Sequence, residues 1–203
     1  MQDSLNGLME VRMNYYENNA LEFYERTINS DMSENCNRFI KYIPSASIIL
    51  DCGCGSGRDQ LYFKNMGFQI EGLEPSKKLA ELARETSGCV IHESTIQDFK
   101  PLKKYDAIWA CASLLHLQKD EVLYFFKNID SWLKKEGYIY VSGKSGIKTG
   151  LAEDGRFFLE FNENLLSEIL INNRSLKLID KWYSNDVTGR ADFKWMNFIL
   201  KLK

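Results

Sequence analysis

The stretch Leu50-Asp51-Cys52-Gly53-Cys54-Gly55-Ser56-Gly57-Arg58-Asp59 decides the fold of this chain. It continues the apolar run Ser47-Ile48-Ile49-Leu50, which reads as a buried strand. Glycines carry no side chain, so the backbone can turn tightly and approach a ligand. Residues 58–66 read as a helix beginning directly after the glycines, with Gly67 suited to its C-terminal end. Such a helix presents free amides at its first turn. Strand, glycine loop and helix in that order open an α/β fold.

Spacing narrows the ligand. In a GxGxxG dinucleotide fingerprint the third glycine would fall at position 58, which is Arg. The P-loop pattern also fails, because no Gly-Lys-Ser/Thr follows. Asp51 adds a carboxylate at the end of the first strand, which suits a cationic ligand better than a pyrophosphate. Glu74, in Gly72-Leu73-Glu74-Pro75, ends the next strand. A carboxylate there can accept hydrogen bonds from both hydroxyls of a ribose, a logic shared with dinucleotide folds.

Working outward, residues 13–29 place Tyr16, Ala20, Phe23, Tyr24 and Ile28 at helical spacing. Asp31 or Ser33 can cap a second helix that stops near Pro44. After Glu74, Ser76 caps a helix through Arg84. Residues 89–91, 105–111 and 137–142 read as further strands, with a helix over 120–133. Asn162 caps a helix bearing Leu165, Leu166, Ile169 and Leu170, and 176–183 and 195–202 read as a final antiparallel pair. Strands alternating with helices predict a parallel sheet with right-handed crossovers. Ligands in such sheets lie beyond the carboxyl ends of the strands, at the switch in strand order.

The chain has 203 residues, which fits a single domain over 1–203, with an N-terminal helical lid at 1–44 and an α/β core at 45–203. A formal net charge of −2 without a basic block gives no footprint for nucleic acid or an anionic membrane. No run reaches the roughly 18 apolar residues of a membrane span, and the N-terminus does not read as a signal peptide. The five cysteines form no CxxC pair, so a reduced, cytoplasmic protein without a metal site is expected.

The sequence DxGCGxG after a strand, then an acid ending the next, resembles the class I S-adenosylmethionine-dependent methyltransferases. Residues 105–116, reading Tyr-Asp-Ala-Ile-Trp-Ala-Cys-Ala-Ser-Leu-Leu-His, are similar to the fourth-strand motif of the small methyltransferases related to ubiquinone-biosynthesis and tellurite-resistance enzymes. At Lys135-Glu136-Gly137 the usual Pro-Gly-Gly keeps only one glycine. The resemblance covers roughly residues 15–202 and implies a Rossmann-like fold: a seven-stranded, mostly parallel sheet, the last strand antiparallel, with helices on both faces.

It also implies S-adenosyl-L-methionine as cofactor and S-adenosyl-L-homocysteine as product. Gly53, Gly55 and Gly57 would line the methionine part, with Cys54, Arg58 and Asp59 in the same loop, and Asp51 would act near the methionine ammonium. Glu74 would bind the ribose beside Pro75. The adenine would rest on Thr95, Ile96 and Gln97, where the commoner acid-Ala pair is missing. Ala110 and Cys111 would present backbone carbonyls, and Tyr16 and Tyr24 would sit on the lid.

Methyl transfer needs alignment and a dry site more than acid–base groups, because the cofactor carries the reactivity. His116 is the candidate catalytic base, its ordinary pKa being near neutrality. Ser113, His116, Lys144, Arg156 and Arg190 are the candidate contacts to a small, anionic acceptor. A monomer or homodimer acting on a small molecule is expected. Competing readings are a non-catalytic S-adenosylmethionine- or nucleotide-binding domain and an NAD-dependent oxidoreductase.

Overall fold

The computed structural model describes residues 15–203. The start of the predicted 13–29 helix, and the lid before residue 15, lie outside the described residues. Residues 15–18 are helical, and helix α1 (Ala20–Thr27) follows. Asn19, with φ −114° and ψ 23°, departs from helical dihedrals between the two, although its amide and side chain both donate to the Tyr15 carbonyl, at 3.0 and 2.7 Å, and its carbonyl accepts the Phe23 amide at 2.9 Å. In helix α2 (Ser33–Ile40) Ser33 is the first helical residue, and the Asp31 carboxylate accepts its amide at 2.8 Å.

Strands β1 (Ile48–Cys52), β2 (Gln69–Leu73), β3 (Val90–His92), β4 (Tyr105–Cys111), β5 (Leu133–Ser145), β8 (Leu176–Ser184) and β9 (Lys194–Leu202) make one sheet in the order β3-β2-β1-β4-β5-β9-β8. Only β9 runs antiparallel to its neighbours, between β5 and β8. The chain winds from β1 outward to β3, then returns to place β4 on the other side of β1. The switch point therefore lies between β1 and β4. The seven-stranded, mostly parallel sheet expected from the sequence is present.

Alternate residues of the central strands feed two cores, as a two-sided sheet requires. On one face Ile49, Trp109, Tyr140 and Ile199 pack with Phe39 of α2 and Phe63 of helix α3 (Arg58–Asn65). On the other, Leu50, Ile108, Val141 and Phe198 pack with Phe125 of helix α5 (Lys119–Lys127) and Leu166 of helix α6 (Glu163–Asn172). Helix α4 (Lys77–Ser87) begins at Ser76, whose hydroxyl accepts the Leu79 amide, and stops at left-handed Gly88.

The helix predicted over 120–133 is shorter than expected. It ends at Lys127, a 3-10 turn covers Ile129–Ser131, and Leu133 already lies in β5 opposite Tyr105. Burial of Leu133 in the sheet core overrides its helical spacing. Two elements were not foreseen: the short antiparallel strands β6 (Gly150–Leu151) and β7 (Phe157–Phe158).

Candidate active site

A cavity of about 280 Å³ opens over the carboxyl ends of β1, β2, β4 and β5. Asp51, Gly53, Cys54, Gly55, Arg58, Asp59, Glu74, Pro75, Thr95, Ile96, Gln97, Cys111, Ser113, His116, Lys144, Arg156, Arg190 and Tyr16 all line it. Sequence separations of up to 174 positions thus collapse onto one surface, as the switch point demands.

Glu74 anchors one end. Its carboxylate accepts the Gly55 amide at 3.0 Å and the Ser76 amide at 2.9 Å, so it ties the glycine loop to the start of α4. Burial pushes its pKa up to about 7, against the pull of those two amides. Asp51 lies one strand over. Burial and the neighbouring Asp59 charge hold its pKa well above the usual range, and its Oδ2 is a buried oxygen without a hydrogen-bond partner among the described residues. Ser113 Oγ on the loop after β4 is a second such atom. Buried polar atoms are normally satisfied, so two orphans facing one cavity mark places for ligand donors.

The three glycines serve different neighbours. All three have positive φ, between 52° and 78°. A Cβ on Gly53 would lie 2.5 Å from Ser113 Cβ, and one on Gly55 would lie 3.0 Å from the Phe23 ring on α1. A Cβ on Gly57 would lie 3.0 Å from the Ala83 backbone of α4. Gly57 therefore lets α4 pack beneath the loop and is absent from the cavity wall, contrary to the expected methionine contact. Ala110 is likewise buried inside β4, outside the lining. Tyr24 is a further departure: its hydroxyl accepts from Thr86 on α4 at 3.1 Å, away from the cavity. Phe23, one residue earlier, faces the loop instead.

Arg58 and Asp59 form a bidentate pair at 2.6 and 3.0 Å, and Asp59 also accepts from Trp109 Nε1 at 2.8 Å. Burial works against the Asp59 charge, but Arg58 and these hydrogen bonds outweigh it and hold its pKa low. This pair braces the cavity floor. Burial pushes the Cys111 thiol up to about 12 and the Cys54 thiol well above its ordinary value, so both stay protonated. None of the five cysteines is in a disulfide.

The sequence from residue 24 to residue 183 matches the family described as "Methyltransferase domain". The chain belongs to the methyltransferase domain family. It is 30% identical over 120 residues to the alpha N-terminal protein methyltransferase 1 of Arabidopsis thaliana, covering 53% of this chain and 41% of that protein. It is 26% identical over 143 residues to the ubiquinone biosynthesis O-methyltransferase of Bradyrhizobium diazoefficiens, covering 68% and 52%. These matches span about half the length of the curated relatives. Among solved structures, it resembles the 1,6-didemethyltoxoflavin-N1-methyltransferase of Burkholderia thailandensis, with a TM-score of 0.81 at 16% identity, covering 98% of this chain and 90% of that one. At that identity the likeness shows the fold alone.

In the methyltransferase domain, residues 16–27 and the segment around Arg156 and Phe158 complete the lining of the cavity. Tyr16 Oη and His116 Nε2 are 2.7 Å apart, and His116 Nδ1 lies 3.0 Å from the Phe157 carbonyl. A carbonyl only accepts, so in the neutral ring Nδ1 carries the proton and Nε2 accepts from the phenol. Burial pushes the Tyr16 phenol up to about 12, which keeps it a donor. Arg156 is held by Asp154 at 2.6 Å, and its guanidinium lies 4.5 Å from the Tyr15 ring centre. Lys144 Nζ lies 4.0 Å from the Phe158 ring centre and 4.6 Å from that of Phe193. Arg190 pairs with buried Asp186 at 2.8 Å.

On the adenine side, Gln97 donates to Glu121 at 2.6 Å and Thr95 donates to Asp98 at 2.8 Å. Both side chains are thus engaged within the protein. Sequence reasoning missed Phe23, Phe158 and Asp186 in the lining. Asp186 had a local signal, the Asp-x-Thr turn in which it accepts the Thr188 amide at 2.9 Å. Among the described residues no acidic, His or Cys cluster fits a metal, and no helix is long and apolar enough to cross a membrane.

Proposed function

We propose that this chain binds S-adenosyl-L-methionine and passes its methyl group to a small, anionic acceptor, releasing S-adenosyl-L-homocysteine. The observation that carries the reading is the pair of buried carboxylates on adjacent strand ends. Glu74 is shaped to accept ribose hydroxyls, and the unpartnered Asp51 oxygen to accept a methionine ammonium. The relatives named above are methyltransferases, and the Burkholderia structure holds S-adenosylhomocysteine, which supports the same reading. Gly53, Cys54 and Gly55 would line the methionine, the Cys111 backbone would face its ammonium, and residues 95–97 would hold adenine.

When bound, S-adenosyl-L-methionine would supply an electrophilic sulfonium methyl for transfer to the acceptor, with S-adenosyl-L-homocysteine as the leaving group. The protein's part is to align the two partners and exclude water. Phe23, Tyr16 and Phe158 contribute apolar and aromatic surface to the cavity lining. His116 Nε2 accepts the Tyr16 phenol, so His116 would take a proton through the Tyr16 hydroxyl from an acceptor that has one to lose. The test is calorimetric titration with S-adenosylhomocysteine and, in parallel, NAD. Micromolar binding of the first and none of the second is expected; the reverse order would favour an oxidoreductase. A labelled-methyl screen across carboxylate, thiol, amine and oxyanion acceptors then reads turnover.

A further inference from the structure

At the acceptor end, three cations reach one region of the cavity, and two of them are already neutralised. Arg156 is held by Asp154 and Arg190 by Asp186. Lys144 has no carboxylate within ion-pair distance among the described residues; Asp186 and Asp192 act on it only at longer range, and Asp192 is exposed. Its ammonium is half-buried between the Phe158 and Phe193 rings. Ring faces replace part of the lost hydration of an ammonium but supply no counter-charge. Burial, with Arg190 and Arg156 beside it, lowers its pKa, the sign expected of a cation lacking a partner.

Position fixes what such a cation can reach. Lys144 pairs with Trp195 near the carboxyl end of β5. The adjacent Gly143 faces Phe161 on the opposite side of the sheet, so alternation turns Lys144 toward the cavity. From Glu74 on β2 to Lys144 on β5 is three strand steps in the order β2-β1-β4-β5, about 14 Å at the usual strand spacing. A methyl donor anchored at Glu74 and Asp51 leaves this far end to the acceptor. Phe23, Leu115 and Phe158, which are flat or apolar, line the cavity, with Phe23 against Gly55 and Phe158 against Lys144 and His116.

Resting on the methyl-donor reading above, we infer that the acceptor is a planar aromatic carboxylic acid whose carboxylate pairs with Lys144 Nζ. One surplus positive charge matches a monoanion. A phosphate, with nearly two charges, would require Arg156 or Arg190 to leave its aspartate. The ring fits the apolar wall and presents its reactive substituent toward Ser113 and His116 on the loop after β4.

The test titrates benzoate, benzamide and phenyl phosphate into the intact protein, with and without saturating S-adenosylhomocysteine, for wild type and Lys144→Met. Benzoate is expected to bind about tenfold or more tighter than benzamide to wild type, and phenyl phosphate no tighter than benzoate. In Lys144→Met the preference for benzoate should vanish, benzamide binding should hold, and S-adenosylhomocysteine affinity should stay within about twofold. Lys144→Arg should restore part of the preference. Absent benzoate binding, equal binding of benzoate and benzamide, a preference that survives Lys144→Met, or tighter phenyl phosphate binding would overturn the assignment. Wild type that binds benzoate but not S-adenosylhomocysteine would instead sink the methyl-donor reading.

Discussion

The two ends of the cavity are built in different ways. The Glu74 end comes from two consecutive strand ends, 51–57 and 74–76, joined by amide-to-carboxylate hydrogen bonds. The Lys144 end is collected from three separated stretches around residues 116, 144–158 and 186–195 and held by side-chain ion pairs and ring contacts. A site made of backbone at strand ends is fixed by the fold itself. A site made of side chains on late loops can change its ligand while the fold stays, which is how one architecture serves many substrates.

The largest expected effect separates packing from ligand contact within the glycine loop. Gly57→Ala meets the α4 backbone and takes a left-handed conformation, so thermal unfolding should show a loss of about 2–4 kcal/mol. Gly55→Ala carries the left-handed cost of about 1–2 kcal/mol but touches only the Phe23 ring. If Gly55→Ala proved the more destabilising, the division of roles in the loop would be wrong.

Next comes Glu74→Gln. Losing the charge should weaken S-adenosylhomocysteine binding by about 1–3 kcal/mol in calorimetry, while leaving benzoate binding at the far end unchanged. The same carboxylate sets a pH dependence. Its folded pKa of about 7 exceeds the ordinary 4.5, so its contribution to stability is present below that ordinary value and is lost as pH rises through 7. Ribose donors favour the ionised form, so affinity should climb with pH up to about 7 and then level off. Asp51, also raised, acts in the same direction. A flat affinity profile between pH 5.5 and 8, in wild type as in Glu74→Gln, would contradict this.

The smallest effect tests the lid. Tyr24→Phe removes one hydrogen bond to Thr86 and should cost about 0.5–1.5 kcal/mol in stability. Affinity for S-adenosylhomocysteine should not move, because the residue lies outside the lining. A marked loss of affinity would return Tyr24 to the cavity.

What the sequence disclosed follows the same division. The strand over 105–111 and the caps at Ser76 and Asn162 were legible because periodicity and cap chemistry are local. Asp51 and Glu74 were legible because strand ends next to glycines are local too. The β6–β7 ribbon was not, since two-residue strands carry no period-2 signal. Phe23 rather than Tyr24 faces the loop, because helical spacing gives a face only when the register against the core is known. Lys144, Arg156 and Arg190 could be named as candidates. Which of them has no carboxylate partner depends on Asp154 and Asp186, whose pairing is visible only in three dimensions.

A crystal structure of the protein grown with S-adenosylhomocysteine decides whether Glu74 and Asp51 hold the methyl donor. Both ribose hydroxyls are expected within hydrogen-bond distance of the Glu74 carboxylate, with the amino group beside Asp51 Oδ2. Adenosine bound away from the Glu74 strand end, or a glycine loop closed against the ligand, would contradict this placement.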